Sequence, residues 1–163
     1  MSTGQVLHAE HAGVHILKFV GDIRFSVCAP AERFLRKVMA EIPARPFIID
    51  LLDTQSMDST ALGVLAMIAR FMKERFDQKA SLLSSNQELR IILNSVCFDQ
   101  VFHIVEQESR VSAISYQALD ELSDDARDFA SQTLRAHQAL VALSLENQAQ
   151  FRDVLDALER EQR

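Results

Sequence analysis

Ser59 stands in the segment Asp53-Thr-Gln-Ser-Met-Asp-Ser-Thr-Ala-Leu-Gly63, at the junction of a short apolar run and a strongly apolar helical one. At that junction it reads as an N-cap, its hydroxyl accepting from the backbone N–H of Leu62 or a neighbour. A phosphate ester on that oxygen would lie beside free N–H groups and the positive end of the helix dipole. It would add about 1.5–2 negative charges to the surface without unfolding the helix, which is a physical basis for a binding switch. Hydrolytic chemistry at Ser59 is a poorer fit. The Gly-x-Ser-x-Gly elbow is absent, and Asp58 directly before the serine opposes an alkoxide. No glycine-rich phosphate loop points to a nucleotide cofactor. His8, His11 and His15 are spaced across a strand and a turn rather than along one helical face, and Cys28 and Cys97 lack ligand spacing, so no metal is expected. His103, in an apolar strand, reads as a packed histidine.

The elements that hold Ser59 follow from punctuation and periodicity. All four glycines and all three prolines lie in the first 63 residues, so the chain should begin as short elements and end as helix. Strands are read at Val6–Ala12 and Val14–Val20 around Gly13, with a turn at Gly21-Asp22-Ile23-Arg24. A helix spans Pro30–Ile42 on Phe34, Leu35, Val38, Met39 and Ile42, and Pro43 stops it. Phe47–Leu52 is a strand buried on both faces. Ser59–Phe76 is a helix, Lys79–Ser84 a strand, Asn86–Phe98 a helix and Val101–Glu106 a strand. The order β-β-α-β-α-β-α-β gives an α/β domain, a mixed sheet of about five strands flanked by helices. In the Ser59 helix, Ala61, Leu65, Ile68 and Met72 form the core face, Val64, Met67 and Phe71 widen it, and Gly63, Arg70 and Lys73 make a narrow polar remainder. The Val64–Met67–Phe71 flank is either covered by the rest of the chain or left as an apolar patch beside Ser59, suited to a partner.

Composition sets the outer bounds. The chain has 163 residues, 48% hydrophobic and 25% charged, with a net charge of −6. This is a folded, ordinary globular composition. Without a basic tract it is a poor match for direct nucleic-acid binding, and no apolar run reaches the ~18 residues that insert into a membrane. Met1-Ser-Thr-Gly-Gln lacks the regions of a signal peptide, so the expectation is a cytoplasmic protein with reduced thiols. Two units are expected, residues 1–107 and a helical extension over 108–163. From Leu119 onward the chain holds ten acidic and five basic residues, with Ser123-Asp124-Asp125 as a helix start. Phe129, Leu140, Phe151, Val154 and Leu158 fall near one side of a wheel, flanked by Leu134, Val141 and Leu145. One unbroken helix of forty residues would be about 60 Å long and could not bury that stripe on its own domain. Either it breaks near Glu146-Asn147 and folds back, or it packs against a second chain as a homodimer.

Phe47-Ile-Ile-Asp-Leu-Leu-Asp followed by Met57-Asp-Ser-Thr-Ala-Leu-Gly-Val-Leu closely resembles the STAS domain of bacterial anti-sigma factor antagonists. Gly21-Asp-Ile-Arg-Phe with the Pro30 helix, Leu82-Leu-Ser-Ser-Asn-Gln-Glu-Leu, and Ile92-Leu-Asn-Ser-Val-Cys-Phe-Asp-Gln-Val-Phe match further stretches in order, over about residues 5–107. The resemblance implies a non-enzymatic regulator of transcription, without a cofactor. Its unphosphorylated form binds an anti-sigma factor, often itself the serine kinase; phosphorylation releases that partner, and a PP2C-type phosphatase resets the switch. Carried over by motif, the acceptor is Ser59, with Asp58 and Asp22 as acidic surroundings and Ser56 and Thr60 as alternative acceptors. Thr60, Gly63, Val64, Met67 and Phe71 become the partner-binding residues. Ala61 stands where many members have Gly, and Thr60 where a second Ser is frequent. The wording is nearest the proteobacterial branch that regulates motility and biofilm formation. The other role the family offers is a scaffold or transporter accessory subunit working by constitutive contacts. The extension lies outside the resemblance.

Overall fold

Ala12 and Gly13 both adopt positive φ, 51° and 78°, the backbone that a two-residue hairpin turn needs and that glycine adopts freely. They join β1 (Gln5–His11) to β2 (Val14–Ile23) in antiparallel register, from His11 opposite Val14 to Gln5 opposite Val20. The computed structural model describes residues 3–106, 116–119 and 126–162, without the side chains of 126–129. The Ser123 helix start and the junction at 107–108 lie outside the described residues.

β2 pairs in parallel with β3 (Phe47–Met57), and both strands run beyond their expected ends at Val20 and Leu52. The turn expected at Gly21–Arg24 is instead a register shift within the pair, with Gly21 at φ 84°. A bulge of this kind lets a strand continue through residues that alternation alone reads as its end. Thr54 Oγ1 donates to Phe19 O at 2.8 Å and so keeps the polar end of β3 attached. β4 (Ala80–Leu83) and β5 (Phe102–Val105) add in parallel on one side. On the other, β6 (Gln117–Ala118) joins β1 antiparallel, so the sheet has six strands in the order β5-β4-β3-β2-β1-β6. Two residues on an edge carry no sequence signal, and β6 was not expected.

Helix α1 covers Cys28–Met39 and ends before Ile42, which is 95% exposed instead of lying on the apolar face. Pro30 sits in the first turn of α1, where an N–H would have no helical acceptor. Helix α2 spans Ser59–Phe76, as the periodicity predicts. The helix expected at Asn86–Phe98 divides into α3 (Gln87–Ser95) and α4 (Phe98–Val101), because Cys97 takes a left-handed conformation at φ 64°. His103 is exposed on β5, against expectation. On an edge strand alternate residues face solvent. The core is centred on Leu17, Phe19, Ile49, Leu51, Leu65, Ile68 and Leu82. Ala61, Leu65, Ile68 and Met72 are all within it.

The extension forms α5 (Ala126–Val141) and α6 (Leu145–Glu161). The break comes a turn before Glu146-Asn147, because Ser144 caps α6 by accepting from Asn147 N at 3.0 Å. The turn dephases the stripe, leaving Leu140 buried while Leu145 and Val154 are 81% and 44% exposed. Among the described residues no helix is long and apolar enough to cross a membrane.

Candidate functional site

β3 delivers the chain to the start of α2, and Asp58 makes the corner. Its N–H donates to Ile23 O at 3.0 Å, its carbonyl accepts from Leu62 N at 3.0 Å, Oδ1 accepts from Ala61 N at 2.9 Å and Oδ2 from Phe25 N at 2.7 Å. Asp58 is therefore the N-cap, at extended φ −83° and ψ 175°, and Ser59 is the first helical residue. This corrects the expectation that Ser59 caps the helix. Both residue types cap well, and the choice turns on a single residue of phase, set here by the tie from Asp58 to β2 and to Phe25.

Relieved of capping, the half-buried Ser59 points its hydroxyl away from its own helix. Ser59 Oγ lies 2.8 Å from His137 Nε2 on α5, and His137 Nδ1 lies 2.8 Å from Thr133 O. A carbonyl only accepts, so Nδ1 carries the proton and Nε2 presents its lone pair to the serine. The Ser59 hydroxyl is consequently the donor. His137 is 3% exposed, and its ring packs against Phe151 of α6 at 6.1 Å. Sequence reasoning missed His137: 78 residues separate the two groups, and α5 was outside every motif. A serine with an imidazole acceptor is half of a nucleophile–base arrangement. The group on Nδ1 here is a backbone carbonyl rather than the carboxylate that stabilises an imidazolium in serine hydrolases. The geometry also makes α5 sensitive to what Ser59 carries. Once esterified, Oγ has no proton to give, and a phosphate would face the Nε2 lone pair.

The alternative acceptors are placed differently. Thr60 is buried at 5%, and Ser56 Oγ donates to the Asp22 carboxylate. That bond first, and Arg24 second, hold the Asp22 carboxyl below its usual range. Asp22 thus serves Ser56 and Arg24, with Arg24 Nε 3.0 Å away, while Asp58 adjoins Ser59. Burial, and then the charges of Asp58 and Glu32, push the nearby Cys28 thiol far up. An anion added at Ser59 therefore meets a helix dipole that favours it and a carboxylate that opposes it.

Val64, Met67 and Phe71 are 1%, 9% and 7% exposed, so no open apolar patch flanks Ser59. Phe71 packs on Phe47 of β3 and on Phe76, and helix α5 lies across α2 at Gly63, where it brings Ala136. Gly63, read from the wheel as part of a polar remainder, is buried at the crossing point. A Cβ on Gly63 would lie 2.2 Å from Ala136 O. Only glycine lets the two helices approach this closely. Arg135 of α5 also pairs with Glu32, which α1 buries to 1%. The five expected partner-binding residues are thus all buried, Gly63 directly under the extension and Phe71 against β3.

The crystal structure of an anti-sigma factor antagonist from Mycobacterium paratuberculosis shares the fold, with a TM-score of 0.52 at 21% identity over 65% of this chain and 88% of that one. No curated protein matches the chain. Residues 6–111, from β1 to beyond β5, match the model of the STAS domain, and the chain belongs to that family.

Proposed function

We propose that this protein is an anti-sigma factor antagonist that works as a partner switch controlled by phosphorylation of Ser59. The observation that carries the reading is the Ser59–His137 bond. It places the motif hydroxyl at the seam between α2 and the helix that crosses it at Gly63. A modification there alters the seam directly. Family membership and the fold shared with an anti-sigma factor antagonist support the class of partner. The unphosphorylated form binds an anti-sigma factor or switch-protein kinase; the phosphate's charge, added next to Asp58, weakens that contact. A serine kinase and a PP2C-type phosphatase set the balance in the cytoplasm, with transcription, and through it motility and biofilm formation, as the output. The chain itself performs no catalysis in this reading. Because α5 lies on Gly63 and holds Ser59 through His137, a partner that docks on Gly63 must displace that helix.

The same cover favours a second reading, a constitutive scaffold or transporter accessory subunit, in which α2's face is closed for good and other surfaces do the joining. One experiment separates the two. The full chain is made with phosphoserine encoded at position 59, and its affinity for anti-sigma factors from the same cells is compared with that of the unmodified chain and Ser59→Ala. A switch gives binding by the unmodified chain and Ser59→Ala, and at least tenfold weaker binding by the phosphoprotein. Equal affinity of all three sinks the switch and leaves the scaffold.

A further inference from the structure

At the opposite end of β3 from Ser59, about 30 Å along the strand, the β1–β2 hairpin gathers three side chains that ligate metals. The register places Glu10 opposite His15 and His8 opposite Leu17. Residues 8 and 10 share a face of β1, and His15 is their cross-strand neighbour on that face. One ligand atom from each of the three lies within 4.8 Å of the others. His8 Nε2 is 3.0 Å from His15 Nδ1, and Glu10 Oε1 is 3.7 Å from the same nitrogen. With metal–ligand bonds of about 2.0–2.1 Å, the donors of a tetrahedral ion sit roughly 3.4 Å apart. The two separations bracket that value. The spacing His8-x-Glu10 plus His15 spans a strand and a turn, which argues against a helical metal motif; on a hairpin it makes one cluster.

The surroundings orient the donors. His15 is fully buried, and its Nε2 lies 3.3 Å from Glu41 Oε2. A carboxylate accepts, so Nε2 carries the proton and Nδ1 offers a lone pair into the cluster. Metal-bound histidines recur in this carboxylate–imidazole arrangement. Arg45 Nη1 holds Glu10 Oε2 at 2.8 Å, which leaves Oε1 facing the histidines. Phe34 and Phe47 stack the two imidazoles in place, at 4.4 Å from His8 and 5.1 Å from His15. Glu10, Glu41 and Arg45 sum to one negative charge, which attracts a cation to the cluster.

We propose that His8 Nε2, Glu10 Oε1 and His15 Nδ1 form a site for a divalent transition-metal ion of the zinc class, with a further position left to water or an outside ligand. Two imidazoles and a carboxylate suit zinc, cobalt or nickel and discriminate against magnesium and calcium. On binding, the neutral His8 ring moves its proton from Nε2 to Nδ1, so no net protonation change is needed. The site would clip the hairpin to the end of α1 through Glu41. It is independent of the partner switch.

The test uses the full chain stripped with EDTA. Zinc titration by calorimetry should give one ion per chain, and cobalt should give the visible absorption of a tetrahedral complex. His8→Ala and Glu10→Gln change the two partly exposed ligands and should abolish the cobalt spectrum while circular dichroism is unchanged. Glu41→Gln should weaken zinc binding by about 10–100-fold. His11→Ala, on the other face of β1, should leave binding as it is. Absence of saturable uptake by the unaltered chain overturns the site. Uptake that survives both His8→Ala and Glu10→Gln overturns it equally.

Discussion

Helices α5 and α6 have nearly equal lengths, 16 and 17 residues, and leave one turn in succession, yet they relate to the domain in different ways. Helix α5 buries Gln132, Ala136, His137, Ala139 and Leu140, and it does so against α2. Helix α6 buries Asn147 alone, leans Phe151 on the core, and leaves Val154 exposed. The extension is therefore not one appendage. Its first helix completes the layer over α2, whose apolar arc exceeds what the sheet alone covers. Its second is a brace, tied by Asn147 in its first turn, by Phe151 and, past its end, by Gln162 to Ser131. The face of α2 around Gly63 is here part of a shared core, and Ser59 sits on its margin.

The strongest way to break this comparison is to cut at two points. Removal of α6 alone, with the chain ending at Ala142, should leave a folded monomer with a lower urea midpoint and an almost unchanged slope. Removal of everything after Gln107 uncovers Gly63 and takes away Ala136, Ala139 and Leu140, which are each under 4% accessible in the full chain, together with the packing of His137 and Phe151. At about 1.5–3 kcal/mol per buried side chain, the loss is on the order of 5 kcal/mol, comparable with the whole stability of a small domain. The shorter chain should aggregate or bind apolar dyes. If instead it is as stable as the full chain, α5 is a separate module and the shared core is refuted.

Much of this was legible in the sequence, and the rest was hidden for physical reasons. Ser59–Phe76 came out at its observed bounds because a long apolar period with a polar start has no competing element. The core face of Ala61, Leu65, Ile68 and Met72 followed from the same period. Gly63 was misread because a wheel weighs side chains, and Gly63 matters for lacking one. Choosing Ser59 over Asp58 as cap was an error of one residue, the scale at which patterns blur. The far ends of β2 and β3 were lost because a bulge interrupts alternation. The Ser59–His137 bond and the Arg135–Glu32 pair join segments 78 and 103 residues apart, which no local pattern encodes. The His8–Glu10–His15 cluster was within reach, since Ala12-Gly13 fixes the hairpin register and the register fixes the shared face.

A milder cut tests how α6 is held. Asn147 is fully buried, and its Nδ2 donates to Val96 O at 2.9 Å and Leu140 O at 3.0 Å, tying α6 to both α3's end and α5. Asn147→Ala removes both bonds, though Leu140 O keeps its bond from Leu143 N at 3.2 Å, and should cost about 2 kcal/mol in chemical denaturation. Hydrogen exchange should accelerate in α6 and little in α2. Acceleration across α2 to the same degree would mean that the two helices undock as one body, and the contrast between layer and brace would be lost.

The smallest effect concerns the seam itself. The Ser59–His137 hydrogen bond is neutral and part-buried, so its net contribution should be about 1 kcal/mol. Ser59→Ala leaves His137 Nε2 without its donor; His137→Ala leaves the hydroxyl free to find water. The two losses should be non-additive in a double-mutant cycle, because each removes the same bond. Coupling near zero would place Ser59 outside the seam and detach the motif from the extension. Coupling near the full bond strength ties them, since whatever esterifies Ser59 must then break the same contact and loosen α5 by a comparable amount. The bond is a small part of what holds α5 beside its apolar contacts, so its loss loosens the helix without detaching it.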